Sequence, residues 1–314
     1  MPDMTLSHTD LYAPLNARLG AAVRQNEALG RYTTLNVGGP AEFFIAVDSE
    51  ALLAEAVQAA WALDLPYWIL GAGSNVLIAE SGLPGLVILN RARELHFEAS
   101  AEYIRVRASS GLMLPTLARR CITRGAGGLE WAATVPGTVG GAIVGNAGAH
   151  GSDMAANTRL VTFLHQENGM QTTPYAELQP TYRSTWFKQH PGVAVVLAAE
   201  FQLTPADPAE LQARVDQFTT HRKSTQPGGA STGSMFKNPP GDYAGRLIEA
   251  AGLKGTQIGG AQISEIHANF FVNRGSASPA DFYNLITLAR QKVQKLTGVK
   301  LELEVELLGN WLAL

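Results

Sequence analysis

The chain has 314 residues, a formal net charge of −3 and a pI of about 6.2. Hydrophobic residues make up 46% of it and charged residues 16%, which predicts enough apolar surface for two or three domain cores. No run of five or more basic residues occurs, so the sequence does not predict a surface for nucleic acid or anionic membranes. The single cysteine, Cys121, excludes an internal disulfide and any multi-cysteine metal site, and we expect it to be a buried structural residue.

The N-terminus, residues 1–5, lacks the basic and then apolar pattern of a signal peptide. No apolar run approaches the ~18 residues of a membrane span. These features predict a cytoplasmic protein. The 32 glycines exceed the usual share without any period or low-complexity run, so they need a structural reason.

The first predicted elements form a β–α–β unit. Residues 43–47 read as a strand, and Ser49 is a suitable cap for a helix whose apolar residues recur at helical spacing up to Trp61. Residues 66–70 then read as a buried strand.

A glycine-rich turn, Gly71–Ile78, follows that strand. It suggests dinucleotide binding, but Val76 stands where the third glycine of the Rossmann motif belongs, and residues 76–78 and 86–89 are strand-like where that motif needs a helix. Two interpretations remain open. One is a phosphate-binding turn that uses backbone N–H groups with the side chains of Ser74 and Asn75, and the other is an ordinary glycine turn.

The densest glycine region is Thr134–Gly151. It has six glycines in the fifteen positions 137–151 and no charged residue at any of its positions. Interspersed Val and Ile distinguish it from a flexible linker, and we expect its backbone to lie closely against something large. His150 within it is expected to be a hydrogen-bonded structural group.

Most later elements are predicted from periodicity and capping residues. They are strands at 103–108, 160–164 and 193–203, a short helix between Pro115 and Gly125, a helix from Asp207 and Pro208 to about Arg222, a short helix at 242–252, and a long helix from Ser278 to about Gly298.

Two C-terminal segments carry polar groups. Ser231–Pro240 combines hydroxyl, cationic and amide side chains between turn formers, which is typical of a surface loop or of a site. Lys300–Leu308 is predicted to be a strand with Glu302, Glu304 and Glu306 on one face, for which plain solvation is the ordinary explanation.

Six motifs occur in a characteristic order between about Arg31 and Gly309. They are Tyr-Thr-Thr-Leu-Asn-Val-Gly-Gly-Pro-Ala (32–41), Gly-Ala-Gly-Ser-Asn (71–75), Pro-Gly-Thr-Val-Gly-Gly-Ala with Asn-Ala-Gly-Ala-His-Gly (136–151), Tyr-Arg-Ser (182–184), Gly-Ser-Met-Phe-Lys-Asn-Pro (233–239) and Leu-Glu-Val-Glu (303–306). Together they resemble the UDP-N-acetylenolpyruvoylglucosamine reductases, the MurB flavoenzymes of peptidoglycan precursor synthesis.

The resemblance implies an α+β fold with an FAD-binding part of the vanillyl-alcohol-oxidase (PCMH) type. Two α+β subdomains, 1–88 and 89–221, would hold FAD, and a C-terminal α+β domain, 222–306, would bind substrate. Residues 307–314 are expected to return to the first subdomain. The short connections around 184–193 and 203–222 resemble the type II subgroup, which lacks a tyrosine-bearing insertion.

The resemblance also implies which residues contact FAD, and it implies no metal. The Gly71–Ile78 turn would wrap the pyrophosphate, and the Thr134–Gly151 stretch would lie along the flavin. The expected FAD-binding residues are Gly71, Ala72, Gly73, Ser74, Asn75, Val76, Thr134, Pro136, Gly137, Gly140, Gly141, Asn146 and Gly148.

In the family, NADPH reduces the flavin, and the enolpyruvyl sugar nucleotide then takes a hydride from flavin N5 to give UDP-N-acetylmuramate. By motif, Arg183 and Glu304 would stabilise the enolate, and Ser234 would protonate the α-carbon. A guanidinium pairs bidentately with a carboxylate, and a carboxylic acid beside a dianion is expected to carry a proton. A placed hydroxyl can act as a general acid.

Arg222, Lys237 and Asn238 are the expected contacts to the uridine diphosphate. Thr225 stands where a lysine is expected, so Lys223 or Lys237 would have to compensate, and Glu306 stands where arginine is common and receives no role. No role is assigned to His150, His267 or Asn269. Two alternatives stay open, namely another flavin oxidoreductase of the same fold and a catalytically silent binder of sugar nucleotides.

Overall fold

A computed structural model describes residues 11–20 and 23–311. The chain forms two compact units. Unit 1 comprises the described residues up to Glu27 together with Ala41–Gly71 and Pro84–Phe218. Unit 2 comprises Ala28–Pro40, Ala72–Leu83 and the described residues from Thr219 onward.

The strands, in chain order, are β1 (Arg24–Ala28), β2 (Pro40–Val47), β3 (Tyr67–Leu70), β4 (Val76–Ile78), β5 (Leu83–Asn90), β6 (Leu95–Ala99), β7 (Ile104–Ser109), β8 (Ala126–Gly127), β9 (Gly148–Ala149), β10 (Ser152–Asp153), β11 (Thr158–His165), β12 (Gly169–Pro174), β13 (Ala194–Pro205), β14 (Ala230–Ser234), β15 (Gln257–Ile258), β16 (Ala261–Ile263), β17 (Phe270–Asn273) and β18 (Glu306–Leu308). The α-helices are α1 (Tyr12–Leu19), α2 (Glu50–Ala62), α3 (Leu114–Thr123), α4 (Val139–Val144), α5 (Trp186–Gln189), α6 (Pro208–Thr225), α7 (Ala244–Ala250) and α8 (Pro279–Thr297).

The first sheet of unit 1 has the order β1-β2-β5-β3, with β3 and β5 parallel. Its helix α2 begins where the sequence predicts, because the Ser49 side chain accepts a hydrogen bond from the Leu52 N–H. The buried face of α2 packs with Phe43 and Ile45 of β2 in one apolar cluster. The predicted β–α–β unit is therefore confirmed.

The second sheet of unit 1 has the order β12-β11-β13-β7-β6, and each neighbouring pair is antiparallel. Its core contains Val106, Leu117 and Phe201. Helix α3 carries its proline in the first turn, and the positive φ of Gly125 follows its end, as the sequence predicts. At the start of α6, the Asp207 side chain accepts from the Ala209 N–H at 2.9 Å, which confirms the predicted cap.

Unit 2 is built on the antiparallel sheet β14-β17-β16-β15 and the helices α7 and α8. Ser278 and Asp281 form a reciprocal capping box at the start of α8, so the predicted helix start is confirmed. Phe236, Phe271 and Phe282 are fully buried in its core. A second, two-stranded sheet pairs β18 with β4 in parallel.

The prediction of one continuous strand from Lys300 to Leu308 is wrong. Only Glu306–Leu308 is a strand, and the chain bends at Glu304 and Val305. The physical reason is that both of these N–H groups point to the carbonyl of Met235, at 3.0 and 3.4 Å, whereas successive N–H groups of a strand point in opposite directions. The shared carboxylate face is lost with the strand: Glu302 is exposed, and Glu304 and Glu306 are half-buried.

Helix α4, inside the glycine-rich stretch, is absent from the sequence prediction. The three-domain division remains a prediction. Leu307 and Leu308 pair with Leu77 and Ile78. Residues 1–5 and 312–314, which also entered the sequence predictions, lie outside the described residues. Among the described helices, none is long and apolar enough to cross a membrane.

Candidate active site

The glycine turn at 71–75 is followed by strand β4 and not by a helix, which confirms the prediction that it is not a Rossmann motif. Gly73 has φ +59°, and a Cβ there would collide with the carbonyl of Tyr32. A Cβ on Gly71 would lie 2.5 Å from the Thr138 hydroxyl oxygen. Both glycines are therefore required by the fold itself.

Asn75 in this turn makes long-range hydrogen bonds. Its Nδ2 donates to the carbonyl of Glu304 at 3.0 Å, and its own carbonyl accepts from the Glu306 N–H at 3.0 Å. Val76 then pairs with Glu306 across β4 and β18. In unit 2, Asn75 and Val76 of the expected cofactor turn are thus hydrogen-bonded to residues 304–306.

Helix α4 gives the glycine-rich stretch its shape. Thr138 caps it, since its side chain accepts from the Gly141 N–H at 3.4 Å. Gly140 lies directly on the chain of Ser110: its N–H donates to the Ser110 carbonyl at 2.7 Å, and a Cβ would lie 2.9 Å from the Ser110 Cβ. Gly140 is a glycine because of this close packing.

Gly141 has a different environment. Apart from the helix backbone and its neighbours, the nearest described atom to an added Cβ would be the Thr138 Oγ1, at 3.7 Å, and the residue is exposed. Its backbone is helical, where glycine costs about 1 kcal/mol relative to alanine. Protein packing gives no reason for this glycine, whereas a flat group against the helix would, so the open backbone at Gly141 fits bound FAD.

The other expected cofactor residues of unit 1 lie around this helix. The Thr134 hydroxyl donates to the Trp131 carbonyl at 3.3 Å, and the Gly137 carbonyl accepts from the Leu114 N–H at 2.9 Å. Pro136 is exposed. These residues present backbone and small side chains, which is the arrangement expected for a surface that a large ligand covers.

Asn146 is buried, and its carboxamide connects loops of unit 1. Nδ2 donates to the Asp153 carboxylate and to the Thr181 carbonyl, both at 3.1 Å, while Oδ1 accepts from the Ala155 N–H at 3.2 Å. The side chain therefore shapes the pocket described next, and its expected contact to FAD stays a prediction.

Arg183 lies at the edge of an open pocket of about 360 Å³. Its Nη1 donates to the carbonyl of Gly148 at 3.1 Å, and its guanidinium lies over the Tyr182 ring, 5.5 Å from the centroid. The backbone of Arg183 has φ +59°, which is uncommon for a residue with a long side chain, and residues strained in this way cluster at active sites and ligand clamps. This pocket belongs to unit 1.

The main-chain segments of Ser234 and Glu304 lie side by side in unit 2, although they are far apart in sequence. Ser234 ends β14, and the next residue, Met235, accepts a hydrogen bond from the Glu304 N–H at 3.0 Å. Lys237 continues the pairing, since its N–H donates to the Glu302 carbonyl at 2.9 Å. The two residues that the motifs place far apart in sequence are therefore neighbours in this unit.

The expected diphosphate contacts also lie in unit 2. Lys237 is 3.6 Å from the carboxylate of Glu302, and Asn238 accepts from the Ala244 N–H at 3.1 Å, at the start of α7. Burial lowers the pKa of Arg222 below its ordinary value. Thr225 donates its hydroxyl to the His221 carbonyl at 2.8 Å, so it acts within its own helix.

Asn269 and His267 are two residues whose roles the sequence left open. The Asn269 side chain accepts from the Phe236 N–H at 3.0 Å and donates to the Phe236 carbonyl at 2.8 Å. His267 accepts from the Asn269 N–H through Nδ1 at 3.2 Å, and burial lowers its pKa. The only signal in the sequence was an amide in the otherwise apolar run Ala268–Val272.

Two further predictions concern residues of unit 1. The ring of His150 stacks on Phe218, with centroids 4.2 Å apart. Cys121 is buried, and burial raises the pKa of its thiol to about 12, which confirms a structural residue. Within the described residues, no group of three His, Cys, Asp or Glu side chains could hold a metal ion.

Comparisons with known proteins cover nearly the whole chain. The family model of the "UDP-N-acetylenolpyruvoylglucosamine reductase, C-terminal domain" matches residues 225–308, and that of an "FAD binding domain" matches residues 41–170. The UDP-N-acetylenolpyruvoylglucosamine reductase of Chloroflexus aggregans is 42% identical over 92% of this chain and 99% of its own. That of Synechococcus sp. strain WH7803 is 45% identical over 91% and 93%.

Among solved structures, the MurB of Thermus caldophilus is similar, with a TM-score of 0.77 and 33% identity over 91% of this chain and all of that one. These similarities confirm the predicted fold, an FAD-binding part with a C-terminal MurB domain. The chain belongs to the UDP-N-acetylenolpyruvoylglucosamine reductase (MurB) family.

Proposed function

We propose that this chain is an FAD-dependent oxidoreductase of peptidoglycan precursor synthesis. Its substrate would be UDP-N-acetyl-3-O-(1-carboxyvinyl)-glucosamine, and reduction of the enolpyruvyl group to the lactyl ether gives UDP-N-acetylmuramate. When bound, FAD supplies hydride transfer, with NADPH as the source of the hydride. The cytoplasmic location stays a prediction.

The observation that carries this proposal is that Ser234 and Glu304 both adjoin Met235: Ser234 precedes it in the chain, and the Glu304 N–H donates to its carbonyl at 3.0 Å. The reduction adds a hydride to the vinyl methylene carbon and a proton to the adjacent α-carbon. Ser234 Oγ is the proposed donor of that proton, and a placed general acid contributes typically ~10²–10⁴-fold to the rate. Glu304 is proposed to stabilise the enolate through its carboxyl group.

Arg183 is proposed to act on the substrate carboxylate, where negative charge increases as the enolate forms. Its guanidinium keeps its positive charge and offers several donors in one plane, which suits a carboxylate. The contact to the Gly148 carbonyl and the ring of Tyr182 restrict the guanidinium. Such restriction lowers the reorganisation that would otherwise accompany the reaction.

Arg222, Lys237 and Asn238 are the proposed contacts to the diphosphate and uridine. Lys237 has its ammonium near a carboxylate that is itself highly exposed, so a phosphate can compete with Glu302 for it. Asn238 accepts from the Ala244 N–H through Oδ1, and its carboxamide also carries an N–H donor group of the kind that binds phosphate oxygens.

The experiment is anaerobic stopped-flow absorbance near 450 nm on the wild-type holoenzyme and Ser234→Ala. NADPH is added first, and the enolpyruvyl sugar nucleotide second. We expect Ser234→Ala to bleach at nearly the wild-type rate and to recover colour with substrate at least about a hundredfold more slowly.

The matched control is Ser231→Ala, which removes a hydroxyl three positions earlier on β14. It should leave both rates close to those of the wild type. Equal slowing of both half-reactions in Ser234→Ala would contradict the proton-donor role. A wild-type protein that bleaches but does not recover with this substrate would overturn the substrate.

A further inference from the structure

Asn75 lies in the turn expected to bind FAD, yet its side chain holds the main chain of Glu304. The Nδ2 to Glu304 carbonyl distance is 3.0 Å. The carbonyl of Asn75 accepts from the Glu306 N–H, also at 3.0 Å, and parallel pairing of β4 with β18 begins at the next residue. The main chain of Glu304 is thus held at both ends, since its carbonyl is bonded to Asn75 and its N–H to Met235.

Asn269 does for the Ser234 segment what Asn75 does for Glu304. The residue is 2% exposed, and its carboxamide forms a closed pair of hydrogen bonds with the N–H and carbonyl of Phe236. Its own carbonyl accepts from the Met235 N–H at 2.8 Å. The pairing of β14 with β17 shifts its register between Ser231 and Ser234. The Asn269 side chain continues the pairing after this shift.

The two asparagines are connected through one residue. The N–H of Met235 is bound to Asn269, and its carbonyl is bound to Glu304. Met235 is fully buried, so its peptide groups cannot exchange these partners for water without opening the core. Main-chain hydrogen bonds therefore connect Asn269 to Met235 and Met235 to Glu304, and the Asn75 side chain bonds Glu304 in turn. Ser234 is the residue before Met235, so both expected catalytic residues belong to this series.

We propose that Asn75 and Asn269 are positioning residues that set the Ser234 hydroxyl and the Glu304 carboxyl at a fixed separation for proton delivery. This rests on the proposed function of Ser234 and Glu304. A reacting group displaced by about 1 Å can lose about a hundredfold in rate, so main-chain restraints of this kind act on catalysis without touching substrate. Asn75 then contributes to the second half-reaction as well as to the cofactor turn.

The test compares Asn75→Ala and Asn269→Ala with the control Asn273→Ala. Asn273 ends β17, the strand that follows Asn269 directly, and its side chain also bonds main-chain groups, those of Leu35, Gly275 and Ala277. Four quantities are measured on each holoenzyme: the FAD dissociation constant, the bleaching rate with NADPH, the recovery rate with the enolpyruvyl sugar nucleotide, and the solvent deuterium isotope effect on recovery. Hydrogen exchange of residues 302–306 is followed in the apo-protein as a readout independent of turnover.

We expect recovery to be about tenfold to a hundredfold slower in Asn75→Ala and Asn269→Ala, and in both variants it should slow clearly more than bleaching does. The solvent isotope effect should increase, because proton transfer limits recovery more strongly. Exchange at 302–306 should become faster in Asn75→Ala. Asn273→Ala should lower stability and leave the ratio of the two half-reaction rates unchanged.

Three results would overturn the proposal: equal slowing of both half-reactions, a loss confined to FAD affinity, or unchanged exchange at 302–306. Asn75 is half-buried, so Asn75→Ala decides the matter even where Asn269→Ala does not fold. If the wild type itself does not recover with the substrate, the proposed function is wrong. Exchange at 302–306 then still shows whether Asn75 fixes the main chain of Glu304.

Discussion

Residues 134–151 in unit 1 and residues 231–238 in unit 2 both contain expected site residues, and the two segments differ in what their side chains do. In the first segment, the surface is helix backbone, small residues and amides that bond other loops, as Asn146 does. In the second segment, the main chain is hydrogen-bonded to β17 on one side and to residues 302–304 on the other. The side chains of Ser234 and Lys237 are the groups expected to act on the substrate.

The difference follows from the two tasks. A large flat cofactor is held over much of its area, so the protein needs closely placed backbone, and side chains would occupy the space. Proton transfer depends on one or two atoms placed within a fraction of an ångström, so the chain there needs rigidity more than space.

The largest effect is expected at Glu304. If it acts as a protonated acid, Glu304→Ala removes a donor to the enolate and should slow flavin recovery by about a hundredfold or more. Glu304→Gln keeps a neutral donor and should lose less. Recovery rates at 450 nm measure both, and a Gln variant as slow as the Ala variant would contradict a protonated Glu304.

Gly140→Ala is expected to destabilise unit 1. The new Cβ would lie 2.9 Å from the Cβ of Ser110, whose hydroxyl is itself bonded to the buried Asn90. Overpacking of this kind costs about 1–3 kcal/mol. Urea unfolding of the apo-protein measures the loss, and an unchanged midpoint would show that this backbone contact is loose.

Gly141→Ala, one residue on, is the matched variant and should act on the cofactor alone. Its Cβ would make only an ordinary contact with the Thr138 Oγ1, at 3.7 Å, so apo stability should stay equal or rise by up to about 1 kcal/mol. We expect FAD affinity to fall by about tenfold, which flavin fluorescence titration measures. Unchanged affinity would show that FAD does not lie against this helix.

The smallest effect concerns His267 in unit 2. Desolvation lowers its pKa, so below pH 6.5 the unfolded chain binds a proton that the folded chain does not, and the free energy of unfolding should fall as the pH decreases from 7. One proton changes it by at most about 1.4 kcal/mol per pH unit, and by less here because the ring is partly solvated. His267→Gln should show a shallower decline in urea unfolding between pH 7 and 5, and an equal decline would contradict the assignment.

Local sequence determined the elements whose signals are local. Ser49, Asp207 and Ser278 bind N–H groups within a few residues of themselves, so their helices start where the sequence predicts. The absence of a Rossmann helix after Gly73 could likewise be read from the strand-like residues that follow. The order of the motifs further indicated the family and its expected site residues.

The tertiary structure decided what depends on partners distant in the chain. Residues 300–308 alternate like a strand, yet the Met235 carbonyl takes two of their N–H groups and bends them. Gly140 and Gly141 are the same residue type in the sequence. Only the position of Ser110 shows that packing requires glycine at 140 and does not require it at 141. The roles of Asn75 and Asn269 could not be predicted from local sequence, because each satisfies main-chain groups that folding brings to it from far along the sequence.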